Sequence, residues 1–324
     1  MGKARNPRHG SMQFWPRKRS KRAYARVRSW PEVKEVKALA FGGYKVGMTH
    51  VIVTDNRPNA ITKGQDIRYP VTIIECPPIK VASIRFYEKV LNRSRVLTEV
   101  FAEKIDKELE RKIIKPKKIN KKIEDVTKFD DIRLLVYTQP KLTGIKKKPE
   151  IFEIALGGTK EEKLAYAKEK LGKEINIDEV FKEGELVDAH AITKGKGVQG
   201  PVKRFGVAIR HHKSEKTKRG PGSLGGWKGQ GHIMYRVAFA GKMGFHLRTH
   251  YNNWLLKISN KVEEINPKGG FIRYGFVKNP YILIKGSIQG PAKRIITLTA
   301  PMRSNKKVPN QAPTIQYTSL ESKQ

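Results

Sequence analysis

The sequence predicts a mainly β protein, in which an antiparallel β-barrel carries an inserted α/β domain and long basic extensions. Short segments rich in Val, Ile, Tyr and Thr recur between turn residues over much of the chain. Residues 91–188 differ from this pattern, because they hold 20 acidic and 23 basic side chains. Elsewhere the basic residues far outnumber the acidic ones, and the net charge of the 324-residue chain is +37.

Residues 1–37 form the first predicted element, a basic N-terminal arm. Residues 1–30 carry ten basic side chains and no acidic one, and Trp15, Tyr24 and Trp30 lie among them. Such rings can stack on bases while the cations meet phosphate. We therefore expect the arm to become ordered only against a partner; a solvated tail is the alternative. The candidate binding residues of the arm are Arg17, Lys18, Arg19, Lys21, Arg22 and Arg26.

The barrel is predicted in three parts, residues 38–90, 185–209 and 261–324, the last of which includes the C-terminal tail. From Phe41 onward, in these parts and beyond them, strands are predicted where β-branched and aromatic residues are bounded by turn residues. They are residues 44–54, 71–76, 81–87, 134–137, 186–193, 235–239, 271–277, 281–285 and 294–299. The last three strands are joined by very short links, which favours a closed or nearly closed antiparallel barrel.

Residues 91–184 are predicted to form an α/β insertion into the barrel. A capping box at Thr159 and Glu162, followed by Gly172 as a C′ residue, predicts a helix between them. A second short helix is predicted at residues 178–182. The nearly balanced charge gives the insertion a different character from the basic extensions.

Residues 210–260 are predicted to form a central basic finger and its return. Residues 189–262 carry fifteen basic side chains and a single acidic one, Glu215. Segment 210–231 reads RHHKSEKTKRGPGSLGGWKGQG, a composition that cannot build a core. Glycine lets the backbone approach nucleic acid closely, and a tryptophan suits stacking or wedging. The candidate binding residues are Lys194, Lys196, Lys203, Arg204, Arg210, His211, His212, Lys213, Lys216, Lys218, Arg219, Trp227, Lys228, Arg248 and His250.

The charge distribution implies a polyanionic partner. Nucleic acid fits best, because each neutralised phosphate releases condensed counterions. A membrane surface would need an amphipathic helix with one basic face, whereas Gly and Pro interrupt the basic runs here. A single cysteine, Cys76, excludes an internal disulfide framework and favours a reducing compartment. We therefore expect a cytoplasmic protein without membrane contacts and without a small-molecule substrate.

Two patterns resemble cofactor sites but lack the necessary context. Residues 195–200 match G-x-G-x-x-G, yet Pro201 follows the last glycine and no strand–helix unit surrounds the motif. His246 and His250 have the spacing of a zinc pair, but the general base and a third acidic ligand are missing. The sequence therefore predicts no cofactor and no metal.

The alternative to a binding protein is an RNA-processing or RNA-modifying enzyme that uses His211, His212 or His250. Such an enzyme would need a carboxylate to orient an imidazole or to hold Mg²⁺, and Glu215 is the one acidic residue available. A DNA-compacting chromatin protein is a third possibility. Hydrogen bonding to RNA is the role that we expect for these histidines.

Several segments then occur in a characteristic order. They are PRHGS at 7–11, KVGMTH at 45–50, VDAHAITKGKGVQG at 187–200, KRFG at 203–206, the finger with Trp227, GFHLRTH at 244–250, GFIRYGFVKN at 270–279 and KGSIQGPAKR at 285–294. In these segments the chain closely resembles the large-subunit ribosomal protein L-three family in its archaeal and eukaryotic form.

The resemblance implies a translation-factor-like barrel with an inserted α/β domain and two RNA-penetrating extensions. It also implies binding to large-subunit ribosomal RNA, help in subunit assembly and contacts with neighbouring large-subunit ribosomal proteins. The central finger of the family reaches toward the peptidyl transferase centre. By position, Trp227 would lie near its tip and residues 210–228 would line the approach. The implied function is structural, with no catalytic residues.

Overall fold

The structure, a computed structural model, describes residues 10–91, 93–114, 122–126, 128–226 and 231–321. The chain divides into two compact units. We call residues 1–23 and 192–247 the basic unit, and residues 24–191 and 248–324 the barrel unit. Within the described ranges, no helix is long and apolar enough to cross a membrane.

The described residues are mainly β, as the sequence predicts. The strands are β1 Ala40–Thr54, β2 Asp66–Glu75, β3 Ile79–Val90, β4 Arg93–Phe101, β5 Asp131–Thr138, β6 Ile151–Ala155, β7 Glu174–Ile175, β8 Leu186–Ile192, β9 Val198–Gln199, β10 Gly241–Lys242, β11 Leu247–Ser259, β12 Tyr281–Lys285, β13 Ile295–Thr299 and β14 Ile315–Thr318. The α-helices are α1 Lys107–Glu110, α2 Pro140–Thr143, α3 Lys160–Lys170 and α4 Pro201–Phe205. Short 3₁₀ helices span Ile177–Glu179 and Val262–Glu264.

The larger sheet of the barrel unit forms a barrel-like ring. Its strand order is β13-β8-β11-β12-β2-β1-β14, and β1 also pairs with β13, so that six strands follow one another in a closed sequence. The registered pairs are antiparallel, among them Ala40 with Thr299 and Tyr44 with Glu75. Fully buried apolar side chains such as Ile73, Leu283 and Leu298 supply the core. The predicted antiparallel, barrel-like sheet is therefore confirmed.

Glycine in β1 allows neighbouring strands to pack closely. A Cβ atom on Gly43 would lie 2.5 Å from Ile74 Cγ2 and 2.8 Å from Cys76 Sγ. A Cβ on Gly42 would lie 2.6 Å from Phe152 Cζ. Because real Cβ contacts are longer than this, any larger residue would force these side chains apart. Burial also raises the pKa of the Cys76 thiol, so this cysteine is an inert core residue.

A second antiparallel sheet has the order β4-β3-β5-β6, with β7 paired to β3. It includes β3 as well as strands from the predicted insertion. Helix α3 packs against this sheet through the buried Ala167, and Glu162 Oε2 accepts a hydrogen bond of 2.8 Å from the Thr159 N–H at its start. Gly172, with φ of +75°, follows the helix. The predicted capping box and C′ glycine are therefore confirmed.

Several acidic residues of the insertion form ion pairs with arginines of the second sheet. Arg85 binds Glu99 at 2.9 Å and also binds Glu153, which lies 3.9 Å from Arg133. Arg133 in turn binds Asp131 at 3.4 Å. Arg85 and Arg133 lie directly opposite each other on β3 and β5, and the carboxylates paired with them offset the repulsion between these two like charges. The near-neutral charge of residues 91–188 is thus balanced locally.

Two predicted strands are wrong. Residues 271–277 form turns with one isolated bridge, because Gly270, Arg273 and Gly275 have positive φ values of 70°, 63° and 102°. Extended strands require negative φ. Residues 235–239 lie in turn and irregular structure, where Tyr235 packs against another aromatic ring instead of pairing in a ladder. The strands β4, β6, β11 and β14 and the two-residue strands β7, β9 and β10 were absent from the prediction.

The turn structure before β12 is held by the buried carboxylate of Glu75. Its Oε1 accepts hydrogen bonds from Lys278 N at 3.0 Å, Asn279 N at 2.9 Å and Asn279 Nδ2 at 2.7 Å. Its Oε2 accepts one from the hydroxyl of Tyr274, whose pKa is raised by burial and then by the Glu75 charge. One side chain of β2 therefore satisfies several donors of the chain that enters β12.

Glu75→Ala should lower the free energy of unfolding by about 3 kcal/mol, because it leaves several part-buried donors without their acceptor. Urea unfolding followed by circular dichroism measures the change. Glu103→Ala is the matched control, since Glu103 is exposed. An equal effect in both variants would contradict the role assigned to Glu75.

Candidate nucleic-acid interface

A short ladder closes the base of the finger within the basic unit. β9 and β10 pair antiparallel, with Gln199 opposite Gly241. Backbone hydrogen bonds continue the ladder from Lys196 N to Met243 O at 2.9 Å and from Met243 N to Gly197 O at 2.9 Å. The chain between the two strands, residues 200–240, therefore leaves and returns at one place. Its described residues contain α4 but no strand.

Helix α4 is fixed at both ends by the sequence. Pro201 occupies its first turn, where a missing N–H costs nothing, and Gly206 ends it with φ of +65°. The side chain of Arg204 donates to Lys242 O at 3.1 Å and to Phe239 O at 2.9 Å. Partial burial lowers the pKa of Arg204, although a guanidinium remains charged. Arg204 thus ties α4 to the returning chain.

The arm packs on this helix. The ring centroids of Trp15 lie 6.0 Å from Phe205 and 5.9 Å from Tyr235. The guanidinium carbon of Arg17 lies 4.4 Å from the Phe205 ring centroid, within the range of a cation–π contact. Arg17 also donates to Arg204 O at 3.5 Å. The described part of the arm thus makes specific contacts within its own chain, whereas the sequence predicted contacts only with a partner.

Further contacts join the arm to the chain after β10. Ser20 N donates to Phe245 O at 2.8 Å, and Nδ1 of His246 lies 2.7 Å from Lys18 O. Because a carbonyl oxygen only accepts, His246 carries its proton on Nδ1 in this contact. These support residues, His246 and the ring of Phe205 above all, were not among the predicted site residues. The motif K-R-F-G, with one aromatic residue in a basic segment, was the available signal for Phe205.

Most of the predicted binding residues are exposed. In the basic unit the exposed ones are Lys18, Arg19, Lys21, Arg22, Lys194, Lys196, Lys203, Arg210, His211, His212, Lys213, Lys216, Lys218 and Arg219. Arg17 and Arg204 are half-buried there and make the contacts described above. Arg26 and His250 are exposed in the barrel unit, where Arg248 is half-buried. Trp227 and Lys228 lie outside the described residues.

The finger residues from Arg210 to Lys218 form a closed turn. Arg210 N donates to Lys218 O at 3.0 Å, and Ser214 N donates to His211 O at 2.9 Å. The His211 and His212 ring centroids lie 4.0 Å apart. The hydrogen bonds that hold this turn use main-chain groups and the His211 ring, and the lysine and arginine side chains of the turn are exposed.

The arrangement of the histidines differs from a catalytic or metal site. Nδ1 of His211 accepts a hydrogen bond of 3.2 Å from Lys213 N, so no carboxylate orients this atom. His246 precedes β11 and His250 lies within it, where a separation of four residues spans about 13 Å along a strand. Helical zinc-pair geometry therefore does not occur. Among the described residues, no group of three or more His, Cys, Asp or Glu could hold a metal ion.

One half-buried histidine was not singled out by the sequence analysis. His190 lies in β8, with Nε2 3.1 Å from Thr299 Oγ1 and Nδ1 3.0 Å from Thr249 Oγ1. Burial lowers its pKa, so the neutral form is favoured. Beside it, Asp188 accepts hydrogen bonds from Asn252 N at 2.7 Å and Met302 N at 2.9 Å. These groups hold the barrel together and are not exposed for binding.

Comparison with known proteins gives one consistent result. The family model described as "Ribosomal protein L3" matches residues 1–324. The large ribosomal subunit protein uL3 of Methanocaldococcus jannaschii is 49% identical over 98% of this chain and 97% of its own length. Those of Methanobrevibacter smithii and Methanosphaera stadtmanae are 48% and 50% identical, covering 98% and 100% of this chain and 98% and 99% of their own lengths.

Phe205→Ala should loosen the arm, because it removes the ring on which both Trp15 and Arg17 pack. Loss of about 1.5 kcal/mol of aromatic and cation–π contact would raise the population of the detached arm about tenfold. Trypsin cleavage after Lys18 and Arg19 should accelerate accordingly. Phe276→Ala, which truncates an exposed phenylalanine of the barrel unit, is the control. Unchanged cleavage in the Phe205 variant would disprove the contact.

Proposed function

The chain belongs to the ribosomal protein L3 family, and from this premise we propose that it binds large-subunit ribosomal RNA, assists subunit assembly and extends its finger toward the peptidyl transferase centre. Members of this family are structural, non-enzymatic proteins of the large ribosomal subunit, which agrees with the function expected from the sequence. The archaeal relatives, each a large ribosomal subunit protein uL3, match this chain over nearly their whole lengths.

The observation that carries the RNA proposal is the set of exposed cations in the basic unit. Residues 189–262 have fifteen basic side chains and one acidic, and most predicted binding residues among them are exposed. A ladder and main-chain hydrogen bonds hold the finger, which leaves the lysine and arginine side chains directed to solvent. The phosphate backbone of a nucleic acid suits such a surface, because neutralising its charges releases condensed counterions.

Recognition of RNA by this surface depends on shape and backbone. Lysine and arginine contact phosphate without reading sequence, so base-specific contacts are secondary. The glycines of segment 210–231 permit close approach, and Trp227 supplies a face on which a nucleotide can stack. His211, His212 and His250 serve as hydrogen-bonding groups to RNA. Neighbouring ribosomal proteins are the other partners.

Sedimentation of cell extract after a high-salt wash tests whether the protein is an integral component. We expect the protein to stay in the fractions of the large subunit, because many contacts with phosphates of the folded RNA act together. A peripheral protein of the subunit is the matched comparison. Release of this chain to the top of the gradient would contradict the proposed function.

Trp227→Ala should leave the protein folded and the subunits assembled, while altering interactions of transfer RNA or antibiotics at the catalytic centre. The reason is that stacking by one tryptophan contributes about 1–3 kcal/mol to a local RNA conformation, too little to prevent assembly. Sedimentation profiles and antibiotic footprints measure the two effects. Leu224→Ala, a truncation in the same glycine-rich segment, is the control. A variant that fails to fold would show that Trp227 is a core residue.

A further inference from the structure

A cleft on the insertion is lined mainly by basic side chains, in contrast to the paired charges of the second sheet. It lies between α1 and the chain that follows α2, and its volume is about 590 Å³. Charged side chains that line it are Lys107, Glu108, Arg111, Lys141, Lys146 and Lys147. The volume is within the range of about 300–1,000 Å³ that is typical of ligand sites. Five cations and one acid therefore surround an open space in an otherwise charge-balanced region.

The first wall of the cleft is oriented by a buried leucine. Leu109 of α1 is fully buried in a small core with Leu135 and Tyr137. Lys107 and Arg111 are four residues apart, so they share the helix face that points away from Leu109. Burial of Leu109 thus fixes both cations toward the cleft. Both side chains are exposed.

The acid that precedes this helix is already engaged. Asp106 Oδ2 accepts hydrogen bonds from Lys80 Nζ at 2.8 Å and from Tyr137 Oη at 2.7 Å. These two contacts lower the pKa of Asp106, with Lys80 the larger cause, so the carboxylate stays ionised and bound there. It therefore does not neutralise Lys107.

The second wall follows α2. Gly144 ends the helix with φ of +71° and donates to Lys141 O at 3.1 Å. Lys146 pairs with Glu150, and Lys141 lies 3.5 Å from Glu108 across the cleft. Three cations remain, Lys107, Arg111 and Lys147, and none of them has an ion pair with a carboxylate in the ranges that the structure describes.

We propose that this cleft binds phosphate groups of large-subunit ribosomal RNA, which makes the insertion a contact separate from the arm and the finger. The inference rests on the proposed RNA-binding function. Cations held around one opening repel one another, and a phosphate offers several anionic oxygens, two of which the Arg111 guanidinium can bind together. An acidic peptide would also need apolar pockets or a strand edge, whereas Ile145 is the one apolar side chain among the described lining residues.

The salt dependence of RNA binding tests the proposal. The full-length chain is titrated with a transcript of large-subunit ribosomal RNA at several potassium chloride concentrations. The triple variant Lys107→Gln, Arg111→Gln and Lys147→Gln should reduce the slope of log affinity against log salt by about two, since each lost phosphate contact removes about 0.7–0.9. The control is Lys104→Gln, Lys168→Gln and Lys173→Gln, which removes the same charge from exposed lysines of the insertion outside the cleft.

The outcomes separate the two hypotheses. A flat salt dependence of the unmodified chain would contradict the proposed function itself. If the cleft variant and the control show the same steep salt dependence, the cleft is not a phosphate site, while the proposed RNA-binding function still stands. A photoreactive amino acid at position 147, in assembled large subunits, gives a second measurement that does not depend on the stability of the triple variant. An RNA adduct supports the proposal, and an adduct with protein only would assign the cleft to an acidic neighbour.

Discussion

The structure depends above all on the pairing of the long strand β1. One edge of β1 pairs with β2, while the other pairs with β13 at residues 40–44 and with β14 at residues 51–53. β1 can pair with these three strands because its register shifts between Lys45 and Gly47 and because Gly42 and Gly43 leave room for neighbouring side chains. Without β1 the ring has no strand that closes it between β2 and β13.

Charge is handled differently in the two parts of the molecule. On the second sheet, Arg85 and Arg133 share Glu153, so the desolvation of each ion is offset within the protein. In the basic unit, Arg17 and Arg204 rest on aromatic rings and carbonyl oxygens, which orient a cation without cancelling its charge. The fold thereby keeps a high positive potential on a defined scaffold.

The sequence predicted α3 and the ring strands other than β11, because capping residues and β-branched or aromatic segments bounded by turn residues are local signals. It did not predict β4, whose residues 93–97 are exposed and carry little hydrophobic pattern. It placed a strand at 271–277, since β-branched and aromatic residues outweighed the turn signal of Gly270 and Gly275. The charge pattern located the basic surface, but the contact between Trp15 and Phe205 joins distant positions, and no local pattern encodes such a pair.

The basic unit is built from two separated pieces of chain, and this order has a consequence during synthesis. The side chain of Arg17 donates a hydrogen bond to the backbone of Arg204, which lies 187 residues later in the chain. At about 5–20 residues per second, the arm emerges from the translating ribosome roughly 10–40 s before the helix on which it packs. Throughout that interval a cationic, aromatic segment is exposed beside a large excess of RNA. Premature capture of the nascent arm is therefore a hazard that any pathway of biogenesis for this protein has to avoid.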